Sequence, residues 1–492
     1  MRLIKKYRTD LVIGLALLIL YFFSRLPNLT LIPIFTDEAI YLRWAQIMWH
    51  DSTNRFISLS DGKQPFFMWL CVPLMKMMAD PLAAGRLLSV IAGAGSVVGI
   101  WLLSYTLFNN KKAAYLASLL YIVCPFFMMY DRLALVDSLL TTLSIWTLWL
   151  AVLMVKTLRL DTGLLTGLFL GANFLTKSPA VFSLYLMPAT LLLSAKKFNF
   201  IRWTGLFCII ILLSQGIYNI LRLSPMMHMV HLKDLNFILS WSEFFEEPFK
   251  FFRGNIRGLL DWLTVYMTPP VYYLTIVSLL YGLIKKPKEI LLLFLYFFVP
   301  LLASAFLAKI LYPRYLLYMV PFLLIITAYF ISSLKINKYL FWGLLFLLLL
   351  PSIKLSFDIS VRPVQAAIPL NDRGQFLDNW PSGYGIKESV IFFEKERKQY
   401  PIYIATDGTF GLLPFSLELY LVDKPNIKIA AFWPIDYNKL PGPVTEAAKS
   451  QKTYIIFNQI QKINPEWSLH LIEKYQKGKG DVYLRLYEVL PK

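Results

Sequence analysis

Between Asp137 and Lys156 runs SLLTTLSIWTLWLAVLMV, residues 138–155, without one charged side chain. A helix needs roughly 20 mostly apolar residues to cross a hydrocarbon layer, and this stretch meets that requirement with an acid at one end and a base at the other. Working outward, comparable runs lie at 11–23, 86–108, 113–129, 163–175, 179–194, 205–221, 270–284, 290–307, 315–334 and 339–355. The chain therefore reads as an α-helical polytopic membrane protein of about eleven transmembrane helices. Its composition agrees: 57% of the 492 residues are hydrophobic, and the mean hydropathy is +0.56. That exceeds what a water-soluble core requires, so a lipid bilayer is the main solvent.

The charges between the runs give a direction. Lys111 and Lys112, Lys156 and Arg159, Lys196, Lys197 and Arg202, Lys285, Lys286 and Lys288, and Lys335 and Lys338 all fall on one side when the spans are counted in order. The basic N-terminus, with Arg2, Lys5, Lys6 and Arg8, joins them. By the positive-inside rule this is the cytoplasmic side of a plasma membrane, and it makes 11–23 an uncleaved anchor, since no small-residue cleavage site follows it. The net charge of +19 thus reads as topology rather than as a nucleic-acid footprint. Cys71, Cys124 and Cys208 have neither disulfide nor metal-ligand spacing. The outer side receives segments 27–85 and 223–269 and a tail. The division expected is a membrane domain over 1–355 and an extracytoplasmic α/β domain over 356–492, with strands near 401–406, 427–432, 453–457 and 482–488. Residues 380–385, Trp-Pro-Ser-Gly-Tyr-Gly, read as a loop before a helix starting near Ile386.

Chemistry is expected where polar groups persist at the outer boundary. Thr36-Asp37-Glu38 opens a helix whose apolar positions Ile40, Tyr41, Trp44, Ile47 and Met48 suit one lying in the interface, with Thr36 as N-cap. Capping alone would also explain Asp37 and Glu38. A second outer link carries Asp131-Arg132 and Asp137, for which a local ion pair and an N-cap are the ordinary readings. Yet charge at a membrane boundary is expensive without a partner or a function. Lys63, Lys177 and Arg314 break the sidedness of the other cations. They suit an anionic ligand, because cations aimed at phosphate form charge-assisted hydrogen bonds. Lys309 fits snorkelling to headgroups.

Taken in order, Asp37-Glu38, Gly62-Lys63-Gln64-Pro65, Arg86-Leu87-Leu88-Ser89, Asp131-Arg132 with Asp137, Leu175-Thr176-Lys177 and Pro313-Arg314-Tyr315 resemble the GT-C glycosyltransferase superfamily. The branch it resembles holds the protein O-mannosyltransferases and the lipid A aminoarabinose transferases. The resemblance implies inverting transfer of a sugar from a polyprenyl-phosphate donor to a protein, glycan or glycolipid acceptor on the extracytoplasmic face. It makes Asp37 the essential acid, with Glu38 beside it and Asp137 as a second acid. Lys63, Lys177, Arg314 and Tyr315 fall near the donor phosphate, and Asp131, Arg132 and Arg86 are accessory. No cofactor is required by such a scheme. In the aminoarabinose branch the residue before the Lys63 equivalent is a glutamate that helps bind zinc, and here it is Gly62. His228 and His231 are the other metal candidates, and 223–268 reads as a lid. A flippase for the same lipids would place polar groups near the bilayer midplane in repeated halves, which this sequence does not show. A non-catalytic assembly partner is the third class considered.

Overall fold

The computed structural model describes residues 2–491, with side chains described from Arg8 onward, so those of Arg2, Lys5 and Lys6 lie outside the described residues. The chain forms two compact units. The first comprises Met1–Asn28, Arg55–Leu70 and Arg86–Arg362; the second comprises Leu29–Asn54, Cys71–Gly85 and Pro363–Lys492.

Helical structure occupies all eleven apolar runs of the sequence. Among the described residues, five helices are long and apolar enough to cross a membrane: Pro81–Phe108, Val136–Thr157, Phe200–Leu223, Pro287–Leu307 and Lys338–Val361. Several other runs are interrupted, each for a local reason. Run 113–129 breaks at Cys124, because Pro125 cannot donate to the helical ladder and starts a new helix. Ser178–Leu193 is a short apolar helix wound partly as 3-10 turns. Phe252–Met267 and Pro269–Lys285 meet at 109° across Thr268, whose φ is +62°. In the last apolar third of the unit, Pro313–Leu316 is a 3-10 turn and the regular helix starts only at Val320.

Within the first unit, lipid offers no hydrophobic force for bringing helices together, so close packing and polar contacts must do so. Gly163, Gly167 and Gly171 recur every fourth residue along Leu160–Phe174 and form a seam against Phe200–Tyr218. A Cβ at Gly171 would lie 2.6 Å from the Ile217 side chain, and one at Gly167 would lie 3.0 Å from Leu213. Hydroxyl bridges add to the seam's effect elsewhere, with Ser96 2.7 Å from Thr142 and Thr275 2.7 Å from Thr327. Asn173 donates to Ser144 across 3.1 Å.

The second unit contains a five-stranded sheet: β1 (Ile402–Asp407), β2 (Ile427–Phe432), β3 (Lys452–Phe457), β4 (Leu469–Gln476) and β5 (Tyr483–Val489), in the order β2-β1-β3-β5-β4. The first three are parallel, and β5 runs antiparallel to both neighbours. β1 is buried at every position, as a central parallel strand covered on both faces must be. Tyr403, Ala405, Ile455 and Phe457 pack with Val444 and Ala448 on one face. Tyr454 meets Phe392 and Phe393 on the other. The four strands expected from the sequence are present. The missed one, β4, is an edge strand of mixed Leu, His, Glu, Lys and Gln with little buried surface to declare it. The helix after 380–385 starts at Ile386, preceded by Gly385 at φ +87°.

Candidate active site

The helix Thr36–His50 belongs to the second unit and is fixed there from its first residue. Phe35 pairs with Ser382 in an isolated antiparallel bridge. The Thr36 amide and hydroxyl both donate to the Pro381 carbonyl, at 3.1 and 3.0 Å. Farther along, Arg43 Nε lies 2.8 Å from Glu418 Oε2, Gln46 donates to the Leu419 carbonyl, and Trp44 packs on Phe410 at 6.0 Å. This corrects the expected interfacial helix: most of its residues are buried, and the polar side chains Arg43 and Gln46 face protein partners. Thr36 is also not the N-cap. Phe35 holds that position, and the buried Glu38 carboxylate reaches back to accept the Phe35 amide at 2.9 Å. Glu38 therefore caps, and Asp37, half-buried in the first turn, is the acid whose carboxylate that bond does not engage.

In the first unit the structure brings together Asp137, Lys177, Arg314, Tyr315 and the Lys63 loop. Asp137 opens the helix Val136–Thr157 and is 2% exposed, and Lys177 Nζ lies 2.7 Å from its Oδ1. The same ammonium stands 4.7 Å from the centre of the Tyr315 ring, with the Arg314 guanidinium 6.0 Å from that centre, both within cation–π reach. Gln64 donates to Ser178 at 3.0 Å, so the residue after Lys63 touches the residue after Lys177. Lys63 itself lies 3.7 Å from Asp61. Ser178 donates in turn to Asp234 at 3.3 Å. Burial pushes the Asp234 carboxyl up, against that hydrogen bond and the charges of His231 and Lys177. The result is a concentration of ammonium and guanidinium groups, each near a carboxylate or an aromatic face, which an incoming phosphate oxygen can share.

Asp131 and Arg132 do not pair with each other, contrary to the local ion pair that their adjacency suggests. Asp131 is fully buried, 3.9 Å from Arg25 Nε, and accepts hydrogen bonds from Ser138, Tyr21 and Tyr121. Arg132 donates to the Pro27 and Asn28 carbonyls. Both brace the end of the first helix. Arg86 is fully buried in Pro81–Phe108. Lys309, expected to snorkel, pairs with Glu243 at 2.8 Å. Sequence reasoning missed Asp61, Lys233, Asp234 and Ser178, because their type and spacing give no signal until the segments meet.

The metal-binding position of the aminoarabinose branch is occupied here by Gly62. Gly62 has no side chain, and a Cβ there would already lie 2.5 Å from the Met229 oxygen. His228 is turned onto the Pro225 carbonyl. Among the described residues no three His, Cys, Asp or Glu cluster as a metal site.

Apolar helices in this order together with a small α/β unit form a fold that comparison with solved structures names. The chain matches ArnT from Cupriavidus metallidurans in the apo state with a TM-score of 0.64 and 13% identity, covering 99% of this chain and 99% of that one. The same protein bound to undecaprenyl phosphate matches with a TM-score of 0.61 and 13% identity, over 99% of this chain and 100% of that one. The archaeal oligosaccharyltransferase AglB from Archaeoglobus fulgidus, in complex with an inhibitory peptide and a dolichol-phosphate, matches with a TM-score of 0.54 and 12% identity over 92% of this chain and 70% of that one. This is the GT-C fold. Residues 62–218 match the model of a family described as dolichyl-phosphate-mannose-protein mannosyltransferase. No curated protein matches the chain by sequence.

Proposed function

We propose that this protein is a multi-pass membrane glycosyltransferase that moves a sugar from a polyprenyl-phosphate donor to an acceptor hydroxyl or amine on the extracytoplasmic face of the plasma membrane. The observation that carries the reading is the meeting of Lys177, Asp137, Arg314 and Tyr315 with the Lys63 loop, in a fold whose solved examples include one bound to undecaprenyl phosphate. In the reaction, Asp37 takes the proton from the acceptor as the acceptor attacks the anomeric carbon. The bond from that carbon to the phosphate oxygen breaks on the opposite side, so the configuration inverts and polyprenyl phosphate leaves. Lys63, Lys177 and Arg314 stabilise the charge that grows on the leaving phosphate, where a single well-placed donor contributes about 3 kcal/mol. Asp137, 2.7 Å from the Lys177 ammonium, orients it toward the phosphate. The segment 356–492 is assigned to the extracytoplasmic side together with the first outer loop.

The test is incubation of the purified protein with radiolabelled polyprenyl-phosphate sugars in detergent. Release or transfer of the sugar is expected, and its loss in Asp37→Asn with folding retained. A label that remains wholly on the lipid, while the protein moves that lipid across vesicles, would make it a flippase. Substantial transfer by Asp37→Asn removes Asp37 from the role of base.

A further inference from the structure

The 3-10 turn Ile57–Asp61 ends at Gly62, in the left-handed conformation with φ +65°. The helix His228–Phe237 lies directly on that glycine. A Cβ at position 62 would stand 2.5 Å from both the Lys233 Cβ and the Met229 carbonyl oxygen, so the helix backbone comes this close only because position 62 has no side chain. On one side of the contact, Lys233 Nζ donates to Asp61 Oδ1 at 2.5 Å, while the other oxygen of the same carboxylate faces Lys63 at 3.7 Å. On the other side, Gln64 and Asp234 both bond Ser178. Beneath, Phe56 and Leu59 share a core with Leu175, Leu221 and Val230. Lys63 is thus flanked by two tethers, each joining its loop to segments more than 100 residues away.

We infer that Asp61, Gly62 and Lys233 form a clasp that docks the helix His228–Phe237 on the Lys63 loop, making Asp61 and Lys233 positioning residues for Lys63. The inference rests on the proposed phosphate-binding role of Lys63. At the position where the aminoarabinose branch has a metal-binding glutamate, this chain joins the two segments by backbone contact and an ion pair. Lys233 holds one Asp61 oxygen while the other faces Lys63, so the carboxylate that anchors the helix also sets the position of the Lys63 ammonium.

The test uses hydrogen exchange by mass spectrometry on the full-length detergent-solubilised chain, following peptides that cover 57–64 and 228–237, beside donor kinetics. Lys233→Met, which loses one charge-assisted bond, and Gly62→Ala, whose Cβ would push the Met229 carbonyl away, are each expected to speed exchange in both peptides about tenfold. Lys233→Arg is expected to keep protection. In transfer assays Lys233→Met should raise the donor KM about tenfold with kcat nearly unchanged. Unchanged exchange in both Lys233→Met and Gly62→Ala overturns the clasp, and so does loss of protection in the wild-type chain on dialysis against EDTA. The exchange result stands whether or not the protein transfers sugar. A chain with an intact clasp and no transferase activity would therefore count against the proposed function and not against the clasp.

Discussion

Breaking the ion pair between Arg43 and Glu418 should loosen the helix that presents Asp37. Nε and Oε2 are 2.8 Å apart, and the side chains are only 13% and 23% exposed. Arg43 Nη1 also donates to Gln46 at 2.8 Å, which fixes the guanidinium in the plane that meets Glu418. A fully exposed pair contributes about 0.2–1 kcal/mol, and a hydrogen bond to a charged group about 1.5–3 kcal/mol. Partial burial places this pair between them, so a double-mutant cycle of Arg43→Met and Glu418→Gln should give a coupling of about 1–1.5 kcal/mol. The readout is the thermal midpoint of the detergent-solubilised protein at fixed scan rate, with the effect of each single variant largely absent in the background of the other. Because the helix starts at Thr36, each single variant should also lower kcat more than it raises the donor KM. Additivity of the two variants within about 0.3 kcal/mol would mean that the pair does not hold the helix, and the reasoning would fail.

Lys177→Met should leave the Asp137 carboxylate without its ammonium and remove one charge from the leaving phosphate, lowering kcat/KM about 100-fold; the labelled-donor assay measures it. Asp131→Asn should destabilise the first unit by about 3–5 kcal/mol, because Arg25 then keeps a buried charge without its counter-ion, and loss of folded protein on size-exclusion chromatography reads it. Burial pushes the Lys477 ammonium down to about 7, against the opposing pull of Asp407. An unfolded lysine titrates near 10.4, so between pH 7 and 10 the unfolded state holds the extra proton and folding stability rises with pH. The slope should approach about 1.4 kcal/mol per pH unit and flatten in Lys477→Met; melting at pH 7, 8 and 9 tests it, and an equal slope in both proteins would refute it.

Part of the candidate site's grouping was legible because its signals are local. Lys63, Lys177 and Arg314 stand out by breaking a charge pattern that loops otherwise keep, and the structure gathers Lys177 and Arg314 on Tyr315. Other assignments needed partners that lie far away in the chain. Asp131 looks paired with its neighbour Arg132, yet residues adjacent in a turn point apart, and the carboxylate turns instead to Arg25. Glu38 stands beside Asp37 in the sequence, but its side chain is used by the Phe35 amide.

The sequence by itself determined the membrane-spanning class, the apolar runs and four of the strands of the tail, because these follow from composition and periodicity over 6 to 20 residues. Tertiary structure alone decided that the helix after Phe35 is anchored on Pro381, Ser382 and Glu418, and that Gly62 is a docking point for Met229 and Lys233. Hydrophobic burial is a property each segment carries with it. A hydrogen bond or an ion pair exists only when packing sets two groups within about 3 Å, and no local pattern encodes which distant group that will be.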